Sequence, residues 1–176
     1  GDLLVSYFAG SLEGAPDVAI WCSRRTNGVW SPPYKVADEE GLVHWNPVLF
    51  RKRDGQIVLH YKVGKPIPDW YTRVIVSDDD GLTWSEPAEL VPGDTAGGRG
   101  PVKNKLIELQ DGTWLAPASL ERGSWSVFAD LSYDQGKTWT MSELAPIVRS
   151  TDEVPPDVKA KHMVRGDGLI QPTVWE

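Results

Sequence analysis

An eight-residue pattern recurs along this chain. "SDDDGLTW" at 77–84 and "SYDQGKTW" at 132–139 share the form S-x-D-x-G-x-T-W, with starts 55 residues apart. A third, degraded copy, "SRRTNGVW" at 23–30, carries Arg25 where the others carry Asp, and its Gly28 is displaced by one position. Its start lies 54 residues before the next. A period this regular means that one supersecondary unit is built three times, which limits the fold to repeat architectures.

Other segments keep the same spacing. "RDGQIVLHYKVG" (53–64) aligns with "QDGTWLAPASLE" (110–121), and "GDLLVSYFAG" (1–10) aligns with both from its Gly. "WNPVLF" (45–50), "KNKLIE" (103–108) and "IQPTVW" (170–175) share one slot. Each repeat reads as four short strands parted by turn residues such as Asp54-Gly55 and Asp111-Gly112. In the middle repeat the strands are expected at 46–52, 56–63, 71–77 and 87–92, and no stretch of about eleven residues carries helical periodicity. The 17 Gly and 14 Pro suit a turn-rich chain, and nine Trp supply large aromatic plugs. These features predict an all-β fold, a β-propeller made of four-stranded antiparallel blades, with three blades per chain. The chain reads as a single domain over 1–176, with blades at about 1–43, 44–92 and 101–148, and with 168–176 as the inner strand of a further blade. It begins at the second strand of one blade and ends on the first strand of another.

The acidic motif invites a calcium reading. An EF-hand loop, however, needs a longer spacing and a closing Glu, and Asp134 has no acidic neighbour within its loop. A structural turn fits better: Asp accepts backbone N–H groups, Gly takes a left-handed conformation, and Trp plugs the space beneath. The net charge of −7 argues against a nucleic-acid partner, and no apolar run approaches the roughly 20 residues that span a bilayer. The lone Cys22 gives no internal disulfide framework, the three His lack zinc spacing, and there is no G-x-S-x-G elbow. No metal or other cofactor is expected.

The two intact copies resemble the Asp-box, or BNR repeat, of the sialidase superfamily. The stretch "GDLLVSYFAG…DVAIWCSRRTNGVWSPP" is similar to the first blade of sialidases, and "HWNPVLF", "GPVKNK" and "QPT" are similar to a bacterial branch of sialidase-like proteins. Propellers of that family have six blades, so the chain resembles an N-proximal half. The resemblance implies a sialidase-like, neuraminidase-type glycoside hydrolase acting on an acidic sugar. A non-catalytic carbohydrate-binding or interaction propeller and an inactive truncated fragment stand as alternatives.

It also implies where chemistry sits: on the face opposite the Asp-box turns, near the axis. Asp17 and Glu13 lie in the loop matching the one that carries the sialidase acid/base, which makes them candidate general acids. His44 is a candidate acid/base, Trp45 and Trp70 candidate stacking platforms, and Asn46 a candidate hydrogen-bonding group. Lys62 ends a second strand. Arg99, Lys103, Asn104 and Lys105 follow a Gly-rich connection, and strand alternation would aim the two lysines to one side as an anion clamp. Glu121 and Arg122 occupy the third blade's matching loop, and Gln171 shares the slot of Asn46 and Asn104. Arg165 and Asp167 end the long polar connection 150–168, read as a lid or an insertion. The family binds its substrate carboxylate with three arginines, one of them on a first-blade inner strand that is not in this sequence, and the equivalent slots here hold Asn46, Asn104 and Gln171 rather than Arg. Its nucleophilic Tyr–Glu pair belongs to later blades.

Three blades rarely close a ring, because propellers typically have about four to eight. Two copies would supply six, with the "GLIQPTVWE" strand of each completing its partner's first blade. This self-association predicts a dimer by light scattering, and a stable monomer at micromolar concentration contradicts it.

Overall fold

A computed structural model describes residues 1–94, 97–123, 125–146 and 168–176. Strands β1 (Leu3–Ala9) and β2 (Ala19–Thr26) pair antiparallel, and β3 (Val29–Trp30) and β4 (Tyr34–Ala37) both lie along the other edge of β2. The second sheet is β5 (His44–Arg51), β6 (Ile57–Val63), β7 (Tyr71–Ser77) and β8 (Ala88–Glu89), in that order. The third is β9 (Ile107–Glu108), β10 (Trp114–Leu120), β11 (Ser126–Ser132) and β12 (Thr140–Met141). Among the described residues there is no α-helix, only one turn of 3-10 helix at Ile67–Asp69. The architecture is therefore all-β, three four-stranded antiparallel sheets forming part of a propeller. Where the sequence suggested a fourth strand of six residues in the middle repeat, the ladder holds only Ala88 and Glu89.

The sheets pack face to face, and this accounts for their strand composition. Every residue of β6, IVLHYKV, is buried, because the first sheet covers one face of it and the third covers the other. Ile20, Leu59, Tyr61, Val63 and Ile75 form the first of these contacts, and Val58, Leu90, Leu106, Trp114 and Trp139 form the second. A third cluster of Val18, Val43, Trp45, Trp70 and Val102 closes one end of the stack. The outer edge of β1 has no strand partner among the described residues, and Leu3 and Val5 on it are half exposed.

The S-x-D-x-G-x-T-W turns are built identically. Asp79 accepts hydrogen bonds from the Ser77 hydroxyl (2.8 Å), the Leu82 and Thr83 amides (3.0 and 2.8 Å) and the Thr83 hydroxyl (2.6 Å). Asp134 repeats the pattern with Ser132, Lys137 and Thr138. These donors hold both carboxyls down at about 2, so each is an anion whose oxygens are occupied within its own turn. The copy at 23–30 turns instead through Asn27 and Gly28, both left-handed (φ 51° and 84°). That two-residue reversal needs no Asp, which explains Arg25.

The joint between the second and third sheets allows least freedom. Gly98 is left-handed (φ 78°), and a Cβ there would sit 2.0 Å from the Ser119 carbonyl oxygen. Gly98→Ala should therefore cost on the order of 3 kcal/mol, from the left-handed penalty plus overpacking. Urea unfolding checks this, with Gly93→Ala, where a Cβ meets nothing within 4 Å, isolating the backbone contribution.

Candidate functional site

Strand direction places three loops at one end of the stack: 10–18 after β1, 64–70 after β6 and 121–125 after β10. The S-x-D-x-G-x-T-W turns and the tight turns at 52–56 and 109–113 lie at the other end. The three loops touch in series. Lys65 Nζ donates to the Gly14 carbonyl (3.4 Å), Trp45 lies under Gly14, and Arg122 pairs with Asp69. The Leu169 amide donates to the Trp125 carbonyl (3.0 Å), bringing the start of 168–176 to the same end, while Glu176 reaches the Gln110 amide at the other.

Beneath these loops is a buried ionic cluster. Arg99 forks onto Asp130 with Nε–Oδ2 at 2.9 Å and Nη2–Oδ1 at 2.8 Å, and the Gly100 amide adds a 2.8 Å bond to the same carboxylate. Lys62 Nζ donates to the Thr72 hydroxyl (2.7 Å) and to the Arg99 carbonyl (2.5 Å). Desolvation pulls the Lys62 ammonium down to about 7, although Asp130, Glu121 and Asp94 oppose that fall. Glu121 is only 7% exposed and accepts from the Ser119 hydroxyl at 3.1 Å. Burial raises its carboxyl above the ordinary carboxylate range, and this outweighs the lowering by Ser119 and Lys62. Asp17 is the opposite case. It is exposed, and the Ser11 amide and hydroxyl, both at 2.9 Å, hold its carboxyl below the usual value.

Several expected site residues are structural. Trp45 and Trp70, 8% and 3% exposed, pack edge-on in the core and offer no face to a sugar. His44 is fully buried with both ring nitrogens engaged: Nδ1 lies 3.0 Å from the Val18 carbonyl and Nε2 accepts from the Glu39 amide at 3.1 Å. It pins the first sheet to the second, and with both ring nitrogens engaged it has none left for acid/base work. Lys62 and Arg99 point into the ionic cluster and are not anion binders facing solvent. Arg122 is exposed but shares its charge with Asp69.

The inner-strand slots also follow backbone demands. Asn46, Lys103 and Gln171 are left-handed (φ 43°, 63° and 53°). Asn46 sits where the β5–β6 register slips, and Asn104 Nδ2 donates to the Gln171 and Pro172 carbonyls, both at 2.9 Å. The alternation argument for Lys103 and Lys105 does not apply, because β9 begins only at Ile107. Both lysines nevertheless line one cavity of 220 Å³ with Leu4, Ser6, Pro47 and Val48. Glu13 is exposed on the first loop. Arg165, Asp167 and the rest of 150–167 lie outside the described residues. The sequence reading missed Trp125, which is 42% exposed on the third loop. Its place next to a loop Glu-Arg pair was the available signal.

Titration of Lys62 gives a pH signature. Between its folded value of about 7 and its ordinary value of 10.5, the unfolded chain binds a proton that the folded chain does not, so stability rises with pH across that window. Melting curves should show Tm increasing from pH 7 to pH 9, and Lys62→Met should flatten that increase.

Comparisons with known proteins agree with this architecture. A family model described as "BNR repeat-like domain" matches residues 1–176. A sialidase from Clostridium perfringens is 36% identical over 92 residues, covering 44% of this chain and 24% of that protein. A Paraclostridium sordellii sialidase is 27% identical over 100 residues, covering 49% and 24%. The matched region thus spans about a quarter of either relative. Among solved structures, the Hadza microbial sialidase Hz136 superposes with TM-score 0.67 at 19% identity, over 82% of this chain and 35% of that one. A Dyadobacter fermentans protein of unknown function gives 0.66 at 16%, over 84% and 52%. On the match along its whole length, the chain belongs to the BNR repeat-like domain family, with sialidases among its relatives.

Proposed function

We propose that this chain forms part of the active face of a sialidase-type glycoside hydrolase acting on an acidic sugar. The observation that carries the reading is a pair of carboxyl groups on one face, driven in opposite directions: Glu121 upward by burial and Asp17 downward by Ser11. Carboxyls separated in this way divide into a proton donor and a standing anion. Glu121 is the donor. Asp17, in the loop where the Asp-box resemblance expects the acid/base, is the carboxylate that stabilises developing positive charge on the sugar or accepts a proton. Lys103 and Lys105, which line one cavity, hold the acid group of the substrate, and the exposed ring of Trp125 stacks on a sugar face.

A second reading, a carbohydrate-binding propeller without turnover, draws support from the exposure of Asp17, since an acid/base group in water works poorly. Fluorogenic glycosides including the sialoside separate the two. Under the first reading the sialoside is hydrolysed, and Asp17→Asn and Glu121→Gln each lower kcat by about 10²–10⁴-fold. In Glu121→Gln the alkaline limb of the rate profile also disappears. Retention on a glycan array without hydrolysis supports the second reading.

A further inference from the structure

Two strand positions in this molecule each lack a neighbour, and they complement one another. The first is the outer edge of β1, which has no strand partner among the described residues. The second is the segment 168–176. It runs along the third sheet in the direction of an inner strand, from Trp125, whose carbonyl accepts the Leu169 amide (3.0 Å), to Gln110, whose amide donates to the Glu176 carboxylate (2.9 Å). Asn104 holds its middle by donating to the Gln171 and Pro172 carbonyls. No strand pairs with it among the described residues, and the Trp175 ring near its far end is 95% exposed.

The repeat fixes how the two would fit. Residues 170–175 share the slot of 45–50, and 1–10 share that of 55–64. In the second sheet Phe50 pairs with Val58, Leu49 with Leu59 and Val48 with His60. Carried over, Trp175 pairs with Leu4, Val174 with Val5 and Thr173 with Ser6. Phe50 packs edge-on against Trp114 of the following sheet, ring centres 4.8 Å apart, and Ile57 holds the place of Trp114 one repeat earlier. Trp175 in the Phe50 slot therefore meets Leu4 and Ile57. These two residues, with Leu3, Arg24 and the Arg51–Asp80 pair, line a cavity of 290 Å³ beside β1, which has room for an indole.

Charge agrees with this fit. Arg51 ends its strand on Asp80 of the acidic turn (2.9 Å). The degraded turn carries Arg24 and Arg25 in place of Asp78 and Asp79, and Glu176 takes the slot of Arg51, so the signs are exchanged on both sides. The end faces agree too. Opposite Trp114 and Ala116, the alternation of β10 and β11 leaves Leu115, Val127, Ala129 and Leu131 half-buried on the outward face of the third sheet. Leu3 and Val5 are the half-exposed counterpart on the first.

We propose that 168–176 of one copy adds to the β1 edge of a second copy, with Trp175 in the cavity beside Leu4 and Ile57. The exchange is reciprocal, so a two-fold dimer makes two identical joints and closes. Antiparallel main-chain bonds supply affinity, and the seat of Trp175 supplies register. The proposal stands apart from the glycosidase reading, since the copies join whether or not a sugar is cleaved.

Light scattering of the full chain at micromolar concentration should give twice the chain mass. Trp175→Ser removes an exposed ring, so it should keep the β-sheet circular dichroism while raising the dimer dissociation constant by about tenfold or more. Glu176→Arg should weaken the dimer, and adding Arg24→Glu should restore it. Excess peptide GLIQPTVWE should release monomers. A monomer at micromolar concentration overturns the proposal, even one that takes up the peptide, because the slot then belongs to a strand from elsewhere. A dimer left intact by Trp175→Ser overturns it as well, since that dimer joins through another surface.

Discussion

The bidentate ion pair between Arg99 and Asp130 is the interaction on which the loop end of the stack depends. Arg99 belongs to the connection that leaves the second sheet, and Asp130 lies in the middle of β11 in the third. The fork therefore fixes one blade against the next. A buried pair of this kind repays its desolvation only when every remaining oxygen and nitrogen is bonded. Here the Gly100 amide fills the free lone pair on Asp130, the Trp139 carbonyl takes a second bond from Arg99, and Lys62 and Thr72 both donate to the Arg99 carbonyl. The left-handed glycines Gly97, Gly98 and Gly100 let the backbone pass close enough for this to happen.

From that joint follows the character of Glu121. It lies next to the cluster, near enough to feel Lys62, and among the described residues Ser119 is its hydrogen-bonding partner. The packing that satisfies Arg99 and Asp130 thus leaves Glu121 dry and imperfectly compensated, which is the environment a proton donor requires. Structural demand and chemical capacity meet in the same few side chains.

The fold was legible because it is periodic. Turn chemistry at Asp54-Gly55, Asp111-Gly112 and the two acidic motifs marked the strand ends, and the structure places strands between them. The site was less legible, for identifiable reasons. Asn46, Asn104 and Gln171 attracted attention as polar residues in equivalent slots, but Asn46 and Gln171 sit in left-handed backbone and the Asn104 amide is spent on the Gln171 and Pro172 carbonyls. His44, Lys62 and Trp45 carry groups that chemistry often uses, and one sequence does not reveal that the Val18, Arg99 and Gly64 carbonyls consume them. Trp70 and Trp125 look alike in sequence, yet one is buried and the other exposed, a difference decided by tertiary packing alone.

The open edge of β1 carries a consequence for handling the molecule. Leu3, Leu4, Val5, Ser6 and Tyr7 offer backbone amides and carbonyls along a run without proline or charge, and charged or proline-bearing edges are what usually discourage unwanted sheet extension. Among the described residues nothing pairs with that edge, so an incoming strand of matching register would extend the sheet there. A Lys placed at Val5 would act as a gatekeeper against edge-to-edge growth, and would equally block any strand that belongs there.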